Sequence, residues 1–229
     1  MHLQPPRPSE RNLTPNPPKL LVLVGPAGAG KTTLAHRLQA LAPGQRAFSV
    51  SHTTRPMRPR EQDGVDYYFV TREQFLALQL ADGFAEFAEV HGNLYGTSRQ
   101  EIARLNAQGQ VALFDVDIVG AHNLWRQYSE EILLVFILPP SWSVLIERLE
   151  ARGSETPETV RRRLHTARLE LEAVCQSPAP WHVLVNDVLE PAALRLEDLL
   201  LHPPSPELPR NHPAVQAFLR DASADPRAA

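Results

Sequence analysis

Short, mostly apolar runs recur along the chain, separated by longer stretches in which apolar residues return every three or four positions. Runs at 20–24 (LLVLV), 47–50, 111–114, 132–138 and 182–185 are short for helices and lack strict polar alternation, so they predict strands buried on both faces. The stretch from Thr33 (TLAHRLQAL) puts Leu34, Leu38 and Leu41 on one face, as a helix covering a sheet does. Strands alternating with such helices predict an α/β fold with a central parallel sheet flanked by helices. Two polar stretches break the alternation, 51–97 and from about Arg148 to Arg168, and read as insertions that handle substrate.

Composition limits what surrounds this core. The chain has 229 residues and 22 prolines, and the prolines crowd towards its ends. Residues 1–18 read as a disordered Pro-rich tail, 19–201 as one folded domain, and 202–229 as a second, Pro/Ala-rich mobile tail with room for a short helix near Ala214 to Leu219. With 23 Lys+Arg against 26 Asp+Glu there is no broad basic surface, which argues against nucleic acid or an anionic membrane as partner. Cys175 is the lone cysteine; it excludes an intramolecular disulfide and fits a structural position on a helix. The longest apolar run, Ile132 to Leu138, is far below the ~20 residues of a membrane span. The expectation is a cytoplasmic protein.

Candidate chemistry begins directly after the first run. Gly25-Pro26-Ala27-Gly28-Ala29-Gly30-Lys31-Thr32 is a G-x-x-x-x-G-K-[ST] loop between a strand and a helix. Its glycines allow backbone N–H groups to turn inward on phosphate oxygens, Lys31 reaches the outer phosphates, and the Thr32 hydroxyl suits Mg²⁺. Thr33 continues into the helix, whose N-terminus also favours the anion. The loop implies a nucleoside triphosphate and says nothing of an acceptor.

Further motifs supply one. Ser51-His52-Thr53-Thr54-Arg55-Pro56-Met57-Arg58 continues to Gly64-Val65-Asp66-Tyr67-Tyr68-Phe69; then come Gly92-Asn93-Leu94-Tyr95-Gly96-Thr97 and Asp115-Val116-Asp117 before Gly120-Ala121. Arg148 to Gly153 and Val185-Asn186-Asp187 complete the set. Over roughly Lys19 to Leu201 the chain resembles the guanylate kinase family. The resemblance implies a P-loop nucleoside monophosphate kinase fold with core segments 19–51, 98–140 and 169–201, a GMP-binding insertion at 52–97 and a lid region at 141–168. It implies transfer of the γ-phosphoryl group of Mg²⁺-ATP to GMP or dGMP, in purine nucleotide metabolism.

Carried over residue by residue, the resemblance places the GMP phosphate among Arg55, Arg58, Tyr67 and Tyr95, and the base at Ser51, Glu86, Thr97 and Asp115. ATP falls to Gly25 through Thr33 with Arg148, Mg²⁺ to Thr32 with Asp117 reaching it through water, and charge neutralisation during transfer to Lys31, Arg55, Arg152 and Arg163. From the residues themselves, either Asp115 or Asp117 can serve the metal and the other the base. A carboxylate at Glu86 suits guanine's N1–H and 2-amino donors, and sites built on such bonds reject a partner lacking them by about 10⁴-fold. The family pattern is broken at Ala27, Arg60 and Val119, where serine, glycine and glutamine are usual; Arg60 either adds a cation beside the GMP phosphate or points to solvent. A related phosphotransferase acting on a ribosyl bisphosphate would need no guanine reader, and a non-catalytic binding module would not need Lys31 and Thr32.

Overall fold

In a computed structural model the described residues are 18–228, except 60, 91 and 152–155. Five strands form the main sheet: β1 (Leu20–Val24), β2 (Arg46–Phe48), β7 (Val111–Asp115), β8 (Ile132–Leu138) and β9 (Trp181–Val185). Their order is β2-β7-β1-β8-β9 and every pairing is parallel. All five predicted runs are strands, the second ending two residues early at Phe48. Both faces are covered, which is why β1 is apolar at every position. Leu20, Val22 and Val24 belong to one core cluster and Leu21 and Leu23 to the other, since successive side chains leave a strand on opposite faces.

The second of these faces carries α1 (Lys31–Leu41) and α7 (Leu189–Leu201), through Leu34, Leu38, Leu196 and Leu200. The first carries α3 (Arg99–Ala107), α4 (Ile118–Tyr128), α5 (Trp142–Glu150) and α6 (Pro157–Gln176). Cys175 is partly buried on α6, in keeping with a structural role.

The 51–97 interruption folds as a separate arm. A small sheet of order β4-β3-β6-β5 joins β3 (His52–Thr53), β4 (Tyr68–Phe69), β5 (Phe84–Val90) and β6 (Asn93–Ser98). The helix α2 (Arg72–Leu80) packs on it, started by a reciprocal capping box between Thr71 and Gln74. Among the described residues the arm's own core is Phe75, Phe84 and Leu94, with Val70 and Leu78 beside them.

The expectation of a mobile tail at 202–229 is corrected. A helix, α8 (Pro213–Ala224), follows a short 3-10 turn at Pro209–Asn211, and Val215, Phe218 and Ala222 are buried in the main core. Phe218 meets Trp142 of α5 edge-on at 5.3 Å between ring centroids, and Trp142 Nε1 donates to Asp225 Oδ2 at 2.9 Å. The spacing of Val215, Phe218, Leu219 and Ala222 is an i, i+3, i+4, i+7 stripe, and Pro213 stands at the helix start, where proline is tolerated. Pro-rich flanks masked this stripe. The N-terminal reading of 1–18 falls almost wholly outside the described residues; Pro18 itself is buried.

Candidate active site

The loop between β1 and α1 is shaped by main-chain crowding. Gly25 has φ 145° and a side chain there would place its Cβ 2.2 Å from the carbonyl oxygen of Ile137 in β8. Gly30, at φ 87°, precedes α1, and a Cβ there would lie 2.4 Å from Asn186 Nδ2. Neither position tolerates another residue without movement of its neighbours. Asn186, buried at the end of β9, donates to the carbonyl of Ala29 at 2.7 Å. No side chain caps α1, so its first-turn N–H groups remain directed at whatever anion the loop receives.

Lys31 Nζ donates to Gly25 O at 2.7 Å and lies 3.7 Å from Asp115 Oδ1, while Thr32 Oγ1 donates to Asp115 Oδ2 at 2.6 Å. Asp115 closes β7, whose register beside β1 pairs it with Leu23. Asp117 is turned elsewhere. It caps α4, accepting from Gly120 N at 2.7 Å, and its charge reaches Glu86. Asp115 thus stands on the phosphate-loop side and Asp117 on the side of Glu86. The strand ends at Asp115, and the cap geometry of α4 swings Asp117 towards the arm.

Glu86 lies on β5 opposite Thr97 of β6, next to a register shift between Phe84 and Glu86; such irregularities re-aim side chains. Its Oε1 accepts from Thr97 N at 3.0 Å and Thr97 Oγ1 at 2.7 Å, and Thr97 Oγ1 is 3.1 Å from Ser51 Oγ. The other oxygen, Oε2, faces Gly120 so closely that a Cβ there would come within 3.2 Å. Burial pushes the Glu86 carboxyl above its ordinary pKa, opposed by the Thr97 hydrogen bonds and reinforced by Asp117.

Tyr67 and Tyr95 meet edge-on at 5.9 Å, and the Arg55 guanidinium lies 5.5 Å from the Tyr67 ring centre. Tyr95 also lies near enough to Arg55 to raise its pKa, after the larger effect of Glu61. Arg58 is exposed on the neighbouring turn. Of the adjacent tyrosines only Tyr67 faces this group; Tyr68 donates to buried Glu101 at 3.2 Å and ties the arm to α3. A cavity of about 660 Å³ separates loop and arm, lined by Thr32, Ser51, Tyr67, Phe114 and Asp115 among others.

On the remaining side, Arg148 of α5 donates to the carbonyl of Asn186 at 3.0 Å and approaches that of Gly28 at 3.5 Å. Arg163 is partly buried on α6. Arg152 and Arg60 lie outside the described residues. Ala27 packs against the main core, whereas Val119 is exposed, so neither departure touches the polar groups above.

Two carboxylates escaped the sequence reading. Glu61 bonds Arg55 and the Arg58 backbone; its place two residues after Pro59 was a signal that went unused. Glu170 on α6 has a buried Oε2 without a hydrogen bond, and burial pushes its carboxyl up to about 7, with Lys31 acting the opposite way. No motif in the sequence singles it out.

A parallel five-stranded sheet with a phosphate loop after β1, an acceptor-side arm and arginines on α5 and α6 defines a P-loop nucleoside monophosphate kinase fold. The family model described as guanylate kinase matches residues 17–202. Guanylate kinase of Anaeromyxobacter dehalogenans is 45% identical over 81% of this chain and 81% of its own length, and that of Synechococcus sp. is 43% identical over 88% and 92%. The crystal structure of guanylate kinase from Anaplasma phagocytophilum superposes with a TM-score of 0.61 at 30% identity, covering 93% of this chain and 97% of that one. The chain belongs to the guanylate kinase family.

Proposed function

We propose that this chain transfers the γ-phosphoryl group of ATP to GMP and to dGMP, giving ADP and the corresponding diphosphate. The observation that carries the reading is the two-residue step from Asp115, bonded to Thr32 beside Lys31, to Asp117, beside Glu86. One β7–α4 turn thereby serves both half-sites and sets the distance between donor and acceptor.

The acceptor's phosphate oxygen attacks the γ-phosphorus, the bond from that phosphorus to the β–γ bridging oxygen breaks, and ADP leaves with the electron pair. The attacking oxygen is already ionised, so the protein need supply no base; alignment and charge neutralisation carry the rate. Arg55, Arg58, Tyr67 and Tyr95 hold the acceptor phosphate. Ser51, Glu86 and Thr97 read guanine, with Asp117, whose charge reaches Glu86, on the same side. Lys31 neutralises the β and γ oxygens, Gly25 through Thr33 wrap the triphosphate, and Arg148 and Arg163 serve it from the lid region, where closure excludes water; Arg152, outside the described residues, is assigned with them by the family resemblance.

Among the described residues no group of three or more His, Cys, Asp or Glu gathers as a metal cage. One hydroxyl and one carboxylate, Thr32 and Asp115, instead suit Mg²⁺, which keeps waters and phosphate oxygens as its other ligands. Bound there, it would supply charge neutralisation on the β and γ oxygens. Among the described residues no helix is long and apolar enough to cross a membrane.

The test is ADP release with Mg²⁺-ATP and GMP, dGMP, AMP or UMP as acceptor. Strong preference for the two guanine nucleotides is expected, and equal turnover of AMP would overturn the guanine assignment.

A further inference from the structure

We infer that Glu61 is a positioning residue for the acceptor phosphate, clamping the side chain of Arg55 and the backbone of Arg58 into one preformed anion cradle. The inference rests on the acceptor reading above and adds a residue to it.

Glu61 Oε1 accepts from Arg55 Nη2 at 2.7 Å, and Oε2 accepts from Arg58 N at 2.8 Å. Its own N–H donates to Arg58 O at 3.0 Å, so the turn 58–61 is closed by backbone and side chain together. Arg55 spends one further donor on Pro56 O at 2.8 Å. A guanidinium has five N–H donors; two are thus committed to orientation, and the rest of the fork stays on the side of Tyr67 and Tyr95.

Glu61 and Arg55 are mostly shielded, at 17% and 14% side-chain exposure. The pair is consequently better defined than an exposed ion pair between flexible chains. Its mutual effect is consistent: the Arg55 hydrogen bond holds the Glu61 carboxyl below its ordinary range, and Glu61 raises Arg55.

An arginine free to rotate must lose that freedom on meeting the phosphate, and rigidity supplied beforehand removes the cost. Placing an anion among Arg55, Arg58 and two phenols is therefore a matter of geometry already set by Glu61. Because Glu61 touches neither the base-reading cluster nor the phosphate loop in its hydrogen bonds, its influence should be confined to the phosphate of the acceptor.

The experiment titrates GMP, and separately guanosine, into the wild-type chain, Glu61→Ala and Glu61→Gln, with ATP KM and thermal midpoint measured in parallel. Glu61→Ala is expected to weaken GMP about tenfold or more, leaving guanosine, ATP KM and the thermal midpoint near wild type. Glu61→Gln, which keeps an oxygen acceptor, should recover part of the loss. Unchanged GMP affinity in Glu61→Ala, or equal loss for guanosine, would overturn the inference, the latter because it would mark a general effect on the arm. Wild-type chain that fails to prefer GMP over AMP would instead sink the acceptor reading itself.

Discussion

The donor loop at 25–32 is shaped by glycines pressed against the main sheet and a buried asparagine, whereas the polar groups of the acceptor arm are set by side-chain hydrogen bonds on a small core. Gly25 packs against the backbone of β8 and Gly30 against Asn186, and both rest on a sheet buried on two faces. Among the described residues the arm has a three-residue core, and Arg55 and Glu86 are held by Glu61 and by Thr97, which meets Ser51. A loop seated on the main sheet comes already formed at the strength of the whole domain. A side-chain-built site on a small core can move as a unit, which suits an element that must admit one substrate and release its product.

The sharpest test of this contrast is chemical. Lys31→Ala should lower kcat by about 10²–10³-fold through lost charge stabilisation, with GMP affinity nearly unchanged because the arm is intact; single-turnover kinetics beside GMP titration separate the two. Next, Phe75→Ala removes the centre of the arm's core, 0% exposed and stacked on Phe84 at 4.3 Å. A cost of about 3–5 kcal/mol falls on the arm, so hydrogen exchange should rise across 52–97 while β1, β7 and β8 stay protected, and GMP binding should fail before ATP binding. Loss of protection throughout the sheet would show that arm and core are one cooperative unit.

A smaller effect is expected from Glu86→Gln. The amide keeps an oxygen for Thr97 but presents donors where guanine also donates, so preference for GMP over AMP should drop about 10²-fold or more. Competition between the two acceptors measures it.

The pH dependence follows in the same direction. Burial raises the Glu86 pKa, so the carboxylate is lost on acidification earlier than an ordinary glutamate. Below that pKa the protonated group no longer accepts from both guanine donors. GMP affinity should therefore weaken as pH falls through the raised value, at a pH where ATP binding is still unchanged. A GMP titration curve flat down to the ordinary carboxylate range would contradict Glu86 as the base reader.

Much of the core was legible because its signals are local. LLVLV followed by G-x-x-x-x-G-K-[ST] and a leucine-spaced helix specifies a buried strand, an anion loop and a covering helix without reference to anything distant. The arm's motifs were visible as residue types, yet their partners were not. Tyr67 and Tyr68 are adjacent and chemically equal, and only packing against Glu101 withdraws Tyr68 from the site. Asp115 and Asp117 were likewise interchangeable in the sequence, and the end of β7 and the cap of α4 separate them, one beside Thr32 and the other beside Glu86.

The C-terminal segment teaches the same lesson from the opposite side. Composition made 202–229 look like a tail, although the stripe of Val215, Phe218 and Ala222 was present; a stripe acquires meaning only when a surface such as Trp142 receives it. By itself, the sequence determined the five strands of the main sheet, the phosphate loop and helix that follow the first of them, and the residue types that gather on the arm. Tertiary structure alone decided which aspartate meets Thr32, which tyrosine meets Arg55 and what Glu61 and α8 hold in place. Local patterns follow from bond geometry and burial within a few residues, whereas these choices turn on which side chains meet in space, often across long separations, such as Thr32 with Asp115 at a separation of 83 and Tyr68 with Glu101 at 33.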